Sequence, residues 1–338
     1  MPGRRNSPLW ASVVLMAENV PRVAEEPVCG AWQRTVQGAI ALFLVVTLGL
    51  VAHYYQAAKT NNLEQQIHKL SRQVDQLEEE QAMPEMVLNR YRNSICYVFG
   101  VFQVGFPGQP PAMRARISGS GFVVGKGLLA TNRHVAEPWY EDPDSTALIR
   151  RGAKPKLEKL LAFFPGLPKP LNITPALFSD EGDLAVLRIE DAPPSSKLPP
   201  LPLAAMPPNP GELVSVVGYP MGVLGMVAKS PPAIYERLAF RHDDIGSANE
   251  LAALSLIRPS ATCGHLGDVV GDKLIYDAPT AHGGSGGPVF NSQGEVIGVN
   301  AAYIDGFSGG TLGVTVRELR PLITAAEASR LTIASSMH

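Results

Sequence analysis

Hydrophobic patterning divides the chain into three regimes. The first is a run without charge: from Thr35 to Ala58 there is no Asp, Glu, Lys or Arg, and residues 39–52 are almost wholly aliphatic. A helix from Trp32 to Tyr54 would rise about 33 Å, close to the hydrocarbon thickness of a bilayer. Trp32 and Tyr54-Tyr55 would then fall at the two interfaces, where aromatic rings concentrate. A buried helix or a cleaved signal shares this composition, but the position behind residues 1–34 and the aromatic flanks favour a retained anchor spanning residues 35–58 once. The leader itself, residues 1–34, places Arg4-Arg5 ahead of a short apolar run at Leu9–Ala17 but follows it with no clear small-residue cleavage site, so it reads as a tail that stays on. Arg22 and Arg34 on one side and Lys59, Lys69 and Arg72 on the other leave the orientation open.

In the second regime, Leu63, Ile67, Leu70, Val74 and Leu77 alternate in steps of four and three within a Gln-, Glu-, Lys- and Arg-rich setting. This is the a/d seam of a short coiled coil over residues 59–83, with Pro84 expected to stop it. Two heptads are marginal alone, and a single amphipathic helix lying on the following domain has the same pattern.

The third regime begins at Ser94, where the period drops to two. Ile95–Phe102, Gly121–Val124, Leu128–Thr131, Leu184–Ile189, Leu213–Val217, Leu274–Asp277, Val289–Asn291, Val296–Ala301 and Leu312–Val316 read as short strands between Gly, Pro and Asp turns. Many short strands with such turns predict an all-β sandwich or barrel. Glu137–Pro170 is longer than a hairpin needs and reads as a surface excursion, Pro193–Pro210 as a linker, and Ser230–Gly267 yields no clear pattern. After Val316, Leu319, Leu322, Ile323 and Ala326 recur at helical spacing, predicting a helix over 317–330.

Composition narrows the function. A net charge of −2 over 338 residues gives no basic face for nucleic acid. Forty-five per cent hydrophobic residues against 18% charged is apolar for a soluble protein and agrees with a membrane segment. Cys29, Cys96 and Cys263 cannot form a disulfide framework, although a Cys96–Cys263 pair stays open in an oxidising compartment. No CxxC or HExxH occurs, so neither a metal nor a cofactor is expected.

The chemistry centres on Thr280-Ala-His-Gly-Gly-Ser-Gly-Gly-Pro-Val-Phe290. It sets Ser285 between glycine pairs, which let backbone N–H groups turn toward an oxyanion; a flexible inter-strand turn is the plain alternative. Upstream lie Gly119-Ser-Gly-Phe-Val-Val124, then Gly127-Leu-Leu-Ala-Thr-Asn-Arg-His-Val135, and then Asp183-Leu-Ala-Val-Leu-Arg-Ile189. His134 as base, Asp183 to orient it and Ser285 as nucleophile follow triad logic. Gly283-Gly-Ser-Gly-Gly287 also satisfies the G-x-S-x-G elbow of α/β-hydrolases. That fold needs acid and then histidine after the serine, and here the only histidine after Ser285 is His338.

With these motifs in this order, the segment from Ser94 to Val316 resembles the chymotrypsin-like serine proteases, and within them the HtrA/Deg branch. Val217-Gly-Tyr-Pro220 and Tyr276-Asp-Ala278 are also similar to that family's connecting segments. The resemblance implies a double β-barrel over residues 90–338, with barrel 1 at about 90–195, barrel 2 at about 210–316 and the site between them. It implies Asp183 rather than Asp180 as the orienting acid, and oxyanion donors from the N–H groups of Gly283 and Ser285. A specificity pocket would be walled by Pro279–Gly284 and by Ala301, Ala302 and Tyr303, with Asp305 the acid nearby. Asp277 is expected to be structural and His282 a loop residue. One departure matters: Gly284 stands where the branch usually carries Asn, which predicts a looser loop and a poorly formed hole at rest.

The expected protein is a single-pass membrane serine endopeptidase that cleaves unfolded or damaged polypeptides through an acyl-enzyme. The resemblance further implies a homo-oligomer, a trimer, with the protease domain on the extracytoplasmic side. Residues 317–338 fall short of the ~50 an independent domain needs, so no C-terminal PDZ domain is expected. The alternative is a membrane-tethered scaffold or holdase on the same fold, its hole disabled at Gly284.

Overall fold

A computed structural model of the chain describes residues 29–190, 192–193, 197–303 and 310–336. The chain divides into two units, Met1–Arg72 and Gln73–His338. Helix α1, Cys29–Tyr91, supplies the described part of the first unit. It is long and apolar enough to cross a membrane. Ile40, Leu42–Val46, Leu48, Leu50, Val51, Tyr54 and Tyr55 are all exposed along it, as are the seam residues Leu63, Ile67 and Leu70.

In the second unit α1 departs from expectation, because Pro84 does not stop it. Proline removes one helical hydrogen bond at a cost of about 3 kcal/mol. On the face that follows, Met83, Val87 and Tyr91 are buried, and Tyr91 stacks on Phe290 with centroids 5.3 Å apart and planes 6° from parallel. Burying three such side chains contributes roughly 1.5–3 kcal/mol each, which outweighs the proline.

Strands β1 (Ile95–Gly105), β2 (Pro111–Gly125) and β3 (Leu128–Thr131) lead to helices α2 (Arg133–Ala136) and α3 (Pro143–Arg150). Then come β4 (Lys154–Phe163), β5 (Leu171–Phe178) and β6 (Ala185–Ile189), which close a first barrel in the order β1-β2-β3-β6-β5-β4. After the linker come β7 (Leu213–Gly218) and helices α4 (Gly222–Ala228), α5 (Pro232–Leu238) and α6 (Asp244–Ala253). Strands β8 (Ser260–Val270), β9 (Lys273–Tyr276), β10 (Pro288–Asn291), β11 (Val296–Tyr303) and β12 (Thr311–Thr315) complete a second closed barrel, β10-β11-β12-β9-β8-β7. Helix α7 (Val316–Ser336) extends the expected C-terminal helix and buries Leu319, Ile323 and Ala326. The architecture is the chymotrypsin-like double barrel, preceded by a long apolar helix.

Strand alternation explains how the barrels join. Along β1, Cys96 and Val98 point into the first barrel, while Ile95, Tyr97 and Phe99 enter a core shared with the second. Along β7, Val214 and Val216 fill the second barrel and Val217 enters the shared core. A side-chain period of two thus supplies one barrel interior and one interface from each strand. The linker is stitched to both halves: Leu201 N–H donates to Val123 O, and Ala204 N–H to Val296 O.

Two sequence expectations are corrected. Glu137–Pro170 is not a surface excursion, for it holds α3 and β4, and β4 closes the first barrel. A register shift opposite Glu158 resets the alternation of β4, and Lys154, Lys156 and Glu158 are not buried, so its period is hidden. The patternless Ser230–Gly267 contains α5, α6 and most of β8.

Candidate active site

His134 lies in the one-turn helix α2, directly after β3. Asp183 lies just before β6, which pairs with β3 through Thr131 and Ala185. Sheet register therefore brings the two residues together. Asp183 Oδ1 accepts from the His134 backbone N–H at 3.0 Å, and Oδ2 meets His134 Nδ1 at 2.7 Å. If the carboxylate accepts in this contact, the ring proton lies on Nδ1 and Nε2 carries the lone pair, the arrangement a general base needs. Asn132 Nδ2 donates to the Asp183 carbonyl at 2.8 Å, and Ser179 Oγ accepts from the N–H groups of Glu181 and Gly182. The competing Asp180 is exposed.

Ser285 is held differently. Its loop carries Gly283 at φ +90° and Gly286 at φ +87°. A Cβ on Gly286 would lie 2.1 Å from Ser120 O and 2.2 Å from Thr131 Oγ1, so only glycine fits where this loop meets the first barrel. Ser120, fully buried, grips the loop on both sides of Gly284: its Oγ donates to Gly283 O at 2.7 Å and its N–H to Ser285 O at 2.7 Å. The same Oγ accepts from Tyr219 N–H at 2.9 Å. Sequence reasoning used Ser120 only as part of a motif; its role emerges from the contact between barrels.

Among the described residues, neither Gly283 N–H nor Ser285 N–H donates to a protein acceptor. Both expected oxyanion donors are thus unspent. Ser285 Oγ donates to Ala301 O at 2.8 Å, and it makes no hydrogen bond with His134.

Gly284 does not make the loop loose, contrary to expectation. Its N–H donates to Ala281 O at 2.9 Å, and its carbonyl accepts from Gly287 N–H at 3.1 Å. The space a side chain would need is taken: a Cβ there would lie 2.4 Å from Thr280 Oγ1 and 3.0 Å from Ala281 O. Thr280 Oγ1 accepts from Asn300 Nδ2 at 3.2 Å, and Asn300 Oδ1 accepts from Tyr276 OH at 2.7 Å. Burial holds the Tyr276 hydroxyl well above the usual phenol range, so it stays a neutral donor.

Asp277 Oδ1 accepts from His265 N–H at 2.5 Å and ties β8 to β9. His282 is exposed, and its carbonyl accepts from Met221 N–H. Of the expected pocket, Ala301 is half-buried, while Ala302 and Tyr303 pair through the backbone with Leu312 and Thr311. Asp305 lies outside the described residues. Cys96 and Cys263 are both free thiols, which closes the question of a bond between them, and burial pushes the Cys96 thiol far up.

Two closed barrels thus place a histidine gripped by a carboxylate on one barrel and a serine loop with two unspent N–H groups on the other. Residues 119–299 match the family described as trypsin-like peptidase domain, and the chain belongs to it. Serine protease Rv3671c of Mycobacterium tuberculosis is 27% identical over 189 residues, 56% of this chain and 37% of that protein. Serine protease HTRA3 of Mus musculus is 30% identical over 193 residues, covering 55% and 33%. A probable periplasmic serine endoprotease DegP-like of Rhizobium meliloti is 28% identical over 204 residues, covering 60% and 31%. The chain thus spans about a third of the length of these relatives. Among solved structures, the active form of Rv3671c protease aligns with TM-score 0.46 at 18% identity, covering 72% of this chain and 85% of that one.

Proposed function

We propose that this protein is a membrane-anchored serine endopeptidase of HtrA type that cleaves unfolded or damaged polypeptides. His134 Nε2 takes the proton of Ser285 Oγ as that oxygen attacks the peptide carbonyl carbon. The oxyanion is received by the N–H groups of Gly283 and Ser285, and Asp183 stabilises the imidazolium. His134 then gives the proton to the leaving amine, and water, activated by the same histidine, releases the acyl group from Ser285. Residues 35–58 anchor the chain, the seam at Leu63–Leu77 joins copies into a trimer, and the protease domain faces the extracytoplasmic side. Ala301, Ala302 and Tyr303 shape an apolar specificity pocket.

The observation that carries this reading is the two-point hold of Asp183 on His134, ring and backbone, because a carboxylate on Nδ1 favours the tautomer that catalysis requires. One observation favours a second reading, a protease-fold scaffold: Ser285 Oγ donates to Ala301 O rather than to His134. A fluorophosphonate probe separates them. Labelling of the full chain that disappears in Ser285→Ala and His134→Ala supports the peptidase; a chain that resists the probe while still binding unfolded polypeptide supports the scaffold.

A further inference from the structure

Met221 has a backbone that side chains avoid, with φ 62° and ψ 7°, and its own side chain is 61% exposed. No burial of that side chain accounts for the strained conformation, so the explanation lies in the backbone. Gly222 N–H donates to Tyr219 O at 2.9 Å, which closes a four-residue turn over Tyr219-Pro-Met-Gly222. Proline at the second position and φ near +60° at the third define a type II turn, whose third position normally requires Gly or Asn. The type I alternative relaxes that residue to φ near −90° and differs by a flip of the central peptide. Here the central peptide is Pro220–Met221, so the flip decides where Met221 N–H points.

In the strained form Met221 N–H donates to His282 O at 2.6 Å. His282 and Gly283 share a trans peptide, in which C=O and N–H point in opposite directions. Fixing the His282 carbonyl on Met221 therefore aims Gly283 N–H the other way, where it donates to nothing among the described residues. The turn is held on both sides. Tyr219 is buried with its OH donating to Ile95 O at 3.1 Å, and a Cβ on Gly222 would lie 2.2 Å from Ser118 Oγ.

We propose that Met221 is a positioning residue: its strained type II turn is a latch that aims the Gly283 N–H, and relaxation of the turn releases it. The inference rests on the peptidase reading for its consequence, and on the turn geometry for its mechanism. Because the latch is a backbone device, the conformational preference of residue 221 sets it, not the chemistry of the side chain. A β-branched residue resists positive φ, whereas glycine adopts it without penalty.

The test compares Met221→Val with Met221→Gly in the full chain in detergent, using a short chromogenic peptide. The Gly variant should exceed the Val variant in kcat by at least about tenfold, a reasonable reach for a left-handed penalty. KM should agree within about twofold, since only the oxyanion donor is affected. Hydrogen exchange should show a protected residue-221 amide in wild type and Met221→Gly, and an exposed one in Met221→Val. Equal kcat in the two variants would overturn the proposal, as would a free-exchanging Met221 amide in the wild type. Should Met221→Val fail to fold, Met221→Gly decides alone: a protected amide with kcat at or above wild type supports the latch, and a lost amide or a fallen kcat sinks it. If the wild type resists a fluorophosphonate, the peptidase reading fails, while the exchange measurement still judges the turn.

Discussion

His134 and Asp183 are tied together within one barrel by neighbouring strands, whereas Ser285 is held by segments drawn from both barrels. The base half rests on two bonds from a single carboxylate plus Asn132 and the Ser179 turn, all inside β3–β6. The nucleophile half rests on Ser120 from the first barrel, Met221 from the turn before α4, and Asn300 from β11. The first arrangement survives any motion between barrels; the second depends on their contact. On the proposed reading, such a site would keep its base prepared within one barrel and leave the nucleophile loop to respond to the contact between the two.

The largest effects test the comparison at its ends. Ser285→Ala and His134→Ala should each abolish cleavage of casein, and Asp183→Asn should lower kcat by roughly 10⁴-fold by admitting the wrong tautomer. Comparable turnover of wild type and Ser285→Ala would refute both halves at once.

Next comes the joint between barrels. Ser120→Ala strands the Gly283 carbonyl and the Tyr219 N–H, each a buried group whose lost partner costs about 1–3 kcal/mol. We expect kcat to fall by roughly ten- to a hundredfold, below the roughly 10²–10³ that outright removal of an oxyanion donor costs. The amide protection of His134 should persist, because its N–H donates to Asp183 and Ser120 makes no hydrogen bond to either residue. A Ser120→Ala protein with wild-type kcat would show that the two halves are not held as differently as the hydrogen bonds indicate.

A smaller effect concerns Gly284. Gly284→Asn should lower fluorophosphonate labelling by about tenfold through the clash with Thr280 Oγ1, a local overpacking of about 1–3 kcal/mol. Thr280→Gly should restore part of it in the double variant, since the obstructing atom is gone. Full labelling of Gly284→Asn alone would mean that the Thr280–Asn300 chain moves aside freely.

These variants also mark what the sequence could convey. His134, Asp183 and Ser285 were legible because each stands in a short motif, and the motifs occur in a telling order. Ser120 sat inside one of those motifs, yet its bond to Gly283 joins residues 163 apart in the chain, and no local pattern encodes such a bond. The reading of Gly284 as a loosening departure failed because Thr280 Oγ1 and Ala281 O fill the side-chain space from within the loop, and Thr280 is held there by Asn300 from β11. Likewise β4 and β5 were missed where a bulge and Pro175 interrupt their alternation. The type II turn at Met221 was hidden for the opposite reason, since methionine is the wrong residue for the position it occupies.

The smallest predicted effect is the most discriminating. Asn132, like Ser120, is fully buried, polar and adjacent to the site, and its Nδ2 donates to the Asp183 carbonyl. Its Oδ1 has no partner among the described residues, so the side chain carries an unmet polar atom alongside the useful one. Asn132→Ala removes both, and the two contributions offset to leave a stability loss of about 1–2 kcal/mol from the lost bond and the space. Asp183 would still be fixed by the His134 N–H and Nδ1, neither of which involves Asn132. We therefore expect kcat to fall by no more than about threefold, against the much larger loss in Ser120→Ala, although both substitutions delete a buried polar side chain. Thermal melts and steady-state rates for the two variants, measured side by side, provide the check. A loss in Asn132→Ala as great as that in Ser120→Ala would mean that the base half is not self-contained, and that both halves answer to the same wider packing.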